Sequence, residues 1–226
     1  MANHLDLEEQ EQLDQIKHFW KQYGNLITWA LILVLGVFAG WNLFQRWQLN
    51  QASQAAALYD EVERVVKTGD VAKLDRVFSD MKDKFPSTSF AQQAGLGAAK
   101  SFFEAGKIEE SKSALAWVAE KSSDEGYKAI ARLRLAGILI DGKSYDEAQK
   151  QLAGSFPLEF AALVADRKGD AFFLQGKKAE AKAEYEKAYK AFDERTEYRR
   201  LVEVKLNSLG VNPRTDANVV AGEVKK

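Results

Sequence analysis

From Gln22 to Gln45 the chain carries no charged side chain. Its apolar core, Leu26 to Phe44, reads LITWALILVLGVFAGWNLF. Those 19 residues, at about 1.5 Å per residue, span roughly 28 Å, the hydrocarbon thickness of a bilayer. Trp20, Tyr23 and Trp29 lie toward one end, and Trp41 and Trp47 toward the other. Aromatic rings at both ends are the belt pattern of a spanning helix. The pattern predicts one transmembrane anchor over 22–45, preceded by a leader over 1–21. The run is too long for the apolar part of a cleaved signal peptide, and the leader is acidic (Asp6, Glu8, Glu9, Glu11, Asp14) rather than basic.

After Gln45 the apolar positions take helical spacing, and a phrase recurs. Gly106-Lys107-Ile108-Glu109-Glu110-Ser111 is followed by Gly142-Lys143-Ser144-Tyr145-Asp146-Glu147-Ala148, then by Gly176-Lys177-Lys178-Ala179-Glu180-Ala181. Each phrase reads as a turn and a helix start. The glycine takes the left-handed position that ends one helix, and acidic residues occupy the first turn of the next. Ser144 and Glu147 have capping-box spacing. Helix-turn-helix units of about 34 residues predict an all-α tetratricopeptide-like solenoid. Gly169, Phe172, Gly176, Ala181, Tyr185 and Ala188 match its small and aromatic positions, and Ser111 stands where alanine is usual. A weaker first unit runs from Leu58 through Gly69, Leu74, Phe78 and Met81 to Pro86. Residues 196–209 predict a terminal helix that covers the last apolar edge. The repeat domain is thus expected over 46–209 and a flexible tail over 210–226.

Composition narrows the function. With 32 Lys+Arg against 33 Asp+Glu there is no excess of positive charge, which argues against nucleic acid as a partner. No cysteine is present, and the only histidines are His4 and His18. There is no nucleophile–base pair of a familiar kind and no metal-ligand cluster; carboxylate pairs stay open as catalysts, but the acidic residues read as solvated helix faces, so no catalytic residue, metal or cofactor is expected and the chain reads as a non-enzyme. Gly137 to Ser144 fits GxxxxGKS, the phosphate-binding loop pattern, letter for letter. That mechanism needs a preceding strand, whereas Ala129 to Ile140 reads as helix, and the Gly-Lys pair recurs in register at 106 and 176. The match is a turn between repeats.

Two sets of positions remain as candidate binding residues. Aligned units put Val66, Phe103, Ile140 and Phe173 at one position of the solenoid's inner curve, and Leu96 and Leu133 at another. Such an apolar stripe suits a peptide segment; it suits equally internal packing, or a groove filled by the chain's own terminal segment. Gly36 and Gly40 form a GxxxG in the anchor, which permits close approach of a second helix and is also common composition for membrane helices.

The leader phrase EEQEQLDQIKHFWKQYGN, Gly40-Trp41 late in the span, and the degenerate repeats together resemble the YfgM-like ancillary subunits of the bacterial Sec translocon. The residues that carry the resemblance are Glu11-Gln12-Leu13, Lys17, Phe19-Trp20-Lys21, Tyr23-Gly24-Asn25 and Gly40-Trp41. It implies a single-pass bacterial inner-membrane protein with its N-terminus in the cytoplasm and its repeats in the periplasm. Lys17 and Lys21 against Arg46 favour the same orientation. It further implies association with the SecYEG channel and with a periplasmic chaperone of the PpiD type. The expected function is protein binding, of the chaperone, of unfolded secreted polypeptides, or of both. The alternative is a scaffold for an envelope assembly that never touches clients.

Overall fold

The computed structural model describes residues 7–213, with side chains from residue 11. The beginning of the leader and most of the expected tail, from residue 214 on, lie outside the described residues. Every regular element among them is helical: α1 (Leu7–Thr68), α2 (Val71–Lys84), α3 (Ser89–Glu104), α4 (Ile108–Lys121), α5 (Glu125–Asp141), α6 (Tyr145–Leu152), α7 (Ala161–Leu174), α8 (Lys178–Ala191) and α9 (Glu197–Ser208), with a short 3₁₀ turn at Leu158–Phe160. The chain divides into two compact units, Met1–Ser53 and Gln54–Lys226.

In the first unit α1 supplies the one described helix long and apolar enough to cross a membrane, and none of its apolar window is buried. Leu26, Trp29, Leu33, Phe38, Trp41 and Phe44 are all exposed. A surface of this kind is stable only where the surroundings are themselves apolar. A Cβ added at Gly36 or Gly40 would meet nothing within 4 Å, so that face of α1 is open. The helix does not stop where charge returns at Arg46, because no glycine or proline occurs between Gly40 and Gly69.

The second unit begins with the last turns of α1, where Ala55, Val62 and Val65 are buried against Leu74, Phe78 and Met81 of α2. Glu61 joins the pair from outside, taking Lys73 at 2.7 Å and Arg64 at 2.7 Å. The hydrogen bond from Lys73 holds the Glu61 carboxyl below its ordinary pKa. Then α3/α4, α5/α6 and α7/α8 follow as helical hairpins, with α4 against α5 and α6 against α7, and α9 packs on α8. One continuous core joins the first three hairpins, with Phe102, Leu115, Val118, Leu135 and Leu139 inside it. A smaller cluster at the end holds Ala181, Tyr185, Ala188, Val202 and Leu206. Each large apolar side chain buried there contributes about 2 kcal/mol of transfer free energy. Small residues let the helices meet. A Cβ at Gly95 would lie 2.5 Å from Val118, and one at Gly169 would lie 2.5 Å from the Tyr185 ring.

The turns repeat as closely as the helices. Left-handed residues stand at Gly69, Gly106, Lys143, Gly176 and Gly210. At four of these the Schellman pattern closes the helix. Lys107, Ser144, Lys177 and Val211 donate their N–H groups to Phe102, Leu139, Phe172 and Leu206 carbonyls at 2.8, 2.8, 3.0 and 3.1 Å. Two expectations are corrected here. Gly142 does not hold the left-handed position: its φ is −77°, and Lys143 holds it at φ 60°. Ser144 makes no capping hydrogen bond, because at ψ 60° it is bent by the turn it ends. Thr88 and Asp124, with extended backbone, do accept from Ala91 and Tyr127 N–H groups. Ser111, in the alanine position, is fully buried and donates from Oγ to the Ala99 carbonyl at 2.7 Å.

Between α6 and α7 the repeat is interrupted. Gly154 and Pro157 flank a loop that leads through the 3₁₀ turn, a break that the recurring phrase did not reveal.

Candidate functional site

Two adjacent hollows lie along the first helices of successive hairpins, α3, α5 and α7. The first, about 420 Å³, is lined by Phe103 and Lys100 of α3, Leu115 of α4, Leu133, Arg134, Ile138 and Asp141 of α5, and Arg167 of α7. The second, about 280 Å³, is lined by Ile140, Asp141, Arg167, Asp170, Phe173, Leu174, Tyr185, Lys205 and Ser208. Asp141 and Arg167 belong to both.

The six aligned apolar positions therefore separate. Phe103 and Leu133 share the first hollow, and Ile140 and Phe173 share the second. Phe103 is 44% exposed and Phe173 40%, each in the last turn of its helix. Ile140 is buried and shows only its edge. Val66 and Leu96 line neither hollow; Leu96 is buried in the core and Val66 packs on it.

Sequence reasoning missed the charged half of this surface. Lys100 with Phe103, Arg134 with Gly137, Ile138 and Asp141, and Arg167 with Asp170 and Leu174 all lie at helical spacing on one face. Reading those faces outward from Phe103, Leu133 and Phe173 would have found them. The floor of the second hollow is a hydrogen-bonded network. Lys205 Nζ reaches Asp166 Oδ1 and Asp170 Oδ1, both at 2.7 Å. Tyr185 donates to Asp170 at 2.8 Å, and Tyr198 donates to Asp166 at 2.8 Å. Asp166 is 1% exposed. Burial, reinforced by Asp170, raises the Tyr185 pKa far above its ordinary value; burial and Asp166 do the same for Tyr198. Both phenols stay protonated and act as donors. The network ties α9 to α7 and α8, and its members Asp170, Tyr185 and Lys205 line the second hollow.

Among the described residues no group of three or more His, Cys, Asp or Glu could hold a metal ion. The GxxxxGKS run lies on α5 and the turn after it, with no strand before it, so it offers no phosphate cradle. The surface has two apolar hollows with charged rims, a form suited to polypeptide side chains.

Residues 17–211 match the tetratricopeptide repeat-like domain family. The chain is 32% identical over 210 residues to an ancillary SecYEG translocon subunit of Neisseria gonorrhoeae, covering 92% of this chain and 100% of that protein. It is 27% identical over 206 residues to the protein of that name from Escherichia coli, covering 90% and 97%. It is 29% identical over 205 residues to the one from Haemophilus influenzae, covering 90% and 98%. With a repeat domain behind one apolar helix and a likeness that runs nearly end to end, the chain belongs to the tetratricopeptide repeat-like family of ancillary SecYEG translocon subunits.

Proposed function

We propose that this chain is a single-pass inner-membrane protein whose repeat domain binds other polypeptides at the Sec translocon and catalyses nothing. Residues 22–45 are its anchor, residues 1–21 its cytoplasmic leader, and the repeats lie in the periplasm. The partners are the SecYEG channel, a PpiD-type periplasmic chaperone, and unfolded secreted chains as they emerge. The names of the relatives support the translocon. The exposed apolar face of α1 supports the anchor. The observation that carries the binding reading is the pair of phenylalanines, Phe103 and Phe173, left half-exposed over hollows of the inner curve. A soluble surface seldom leaves aromatic rings in a concave setting without a partner to cover them. Anchoring raises the local concentration of such a surface beside the channel.

Photoreactive side chains placed at Phe103 and Phe173 test the reading in living cells. Crosslinks to emerging exported chains support client binding, and crosslinks to a single fixed protein support chaperone docking or scaffolding. Absence of protein crosslinks from both positions would overturn the groove as a binding site. A reporter active only outside the cytoplasm, fused after Lys226, is expected to be active; a silent one would overturn the orientation.

A further inference from the structure

We infer that the groove takes a peptide segment in which acidic side chains are interspersed among apolar ones, an inference that rests on the protein-binding reading above. The first hollow sets Lys100, Arg134 and Arg167 against Asp141 around a floor of Phe103, Leu115, Leu133 and Ile138. The internal partners of these cations are weak. Lys100 lies 3.7 Å from Glu104, with both side chains mostly in solvent, a pairing of little energy. Arg134 donates to the Leu96 carbonyl at 3.4 Å. Arg167 Nη1 stands 3.5 Å from Asp170 Oδ2, a long contact, while Lys205 and Tyr185 hold Oδ1 of the same carboxylate at 2.7 and 2.8 Å. Each guanidinium has five N–H donors in a fork that matches a carboxylate, and each of the two lining the hollow makes one long internal hydrogen bond, at 3.4 and 3.5 Å.

The second hollow differs. Arg167 and Lys205 are balanced there in charge by Asp141 and Asp170, and the Lys205 ammonium is already held by Asp166 and Asp170, both at 2.7 Å. The excess of positive charge therefore sits over the α3–α5 half. A purely apolar segment would cover those guanidinium groups without replacing the water they lose, which costs free energy. A basic segment would be repelled. A segment with a carboxylate near each leucine-sized side chain satisfies both floor and rim.

The test uses the full-length protein in lipid nanodiscs and three labelled model peptides, alternating leucine with glutamate, glutamine or lysine. Fluorescence anisotropy should show the glutamate peptide bound at least tenfold tighter than the lysine peptide, with the gap closing as salt is raised. Arg134→Gln with Arg167→Gln should bring the glutamate peptide down to the glutamine level, with helical circular dichroism unchanged. Arg134→Glu with Arg167→Glu should reverse the preference. Equal binding of all three peptides, weakened alike by Phe103→Ala, would overturn the acidic preference and leave the groove standing. Binding of none of them, with and without Phe103→Ala, would overturn both.

Discussion

Lys143 occupies a backbone position that four glycines hold elsewhere in the same chain. A side chain in the left-handed region brings Cβ against the following carbonyl, at about 1–2 kcal/mol. Part of that is recovered because lysine loses less backbone freedom on folding than glycine. Lys143→Gly should therefore stabilise the repeat domain by about 0.5–1 kcal/mol, read as a higher urea midpoint at unchanged slope. The sequence misplaced this residue for a definite reason. The Gly-Lys pair is offset by one in the α5–α6 unit, and the eye follows the glycine rather than the hydrogen bonds. Ser144 misled in the same way, since capping-box spacing is satisfied by letters while the turn bends the hydroxyl away. Tyr185 and Tyr198 supply a second prediction. Their pKa values are raised in the folded protein, so between the ordinary tyrosine value of about 10 and the raised values the unfolded chain binds fewer protons. This contribution is complete below about pH 10 and is lost as pH rises above it. Spectrophotometric titration should find two tyrosines that ionise only when the domain unfolds.

At the level of helices, α9 is held by its buried leucine and valine and by one ammonium group between two carboxylates. Lys205→Met would leave the buried Asp166 and the partly exposed Asp170 with a tyrosine each and Arg167 at longer range. Removing one partner from a fully buried ion pair costs about 3 kcal/mol or more, and solvent reaching Lys205 and Asp170 lowers the cost here. Hydrogen exchange should then show the α9 amides opening well before those of α3 and α4, and no selective opening of α9 would refute this role. The element pattern itself was legible, because apolar spacing and the recurring turn phrase both encode it. The terminal helix was visible in the apolar residues Tyr198, Leu201, Val202, Val204, Leu206 and Leu209, although Leu201 and Val204 prove exposed, and its polar tether was not visible. Asp166, Asp170 and Lys205 are far apart in sequence, and only packing brings them together. The same holds for the rim of the hollows: aligning the repeats singles out Phe103 and Phe173, whereas Lys100, Arg134 and Arg167 look like solvated helix faces until the hollow is seen.

For the molecule as a whole, the exposed apolar stretch of α1 sets how it must be handled. Washing membranes with high salt and then with alkaline carbonate should leave the intact chain in the pellet, because the transfer of so many apolar side chains to water far exceeds any ionic contact. Recovery of the full-length chain in the supernatant would remove the span. The continuity of α1 past Arg46 was not readable from charge alone, since a helix ends at a breaker and not at a change of polarity. One consequence follows from the wall that the two hollows share. When an incoming carboxylate draws Arg167 away, Asp170 is left to Lys205 and Tyr185, and the neighbouring hollow turns more negative. On the binding proposed above, filling one hollow therefore changes the charge that the other presents, and the two are coupled through a single side chain.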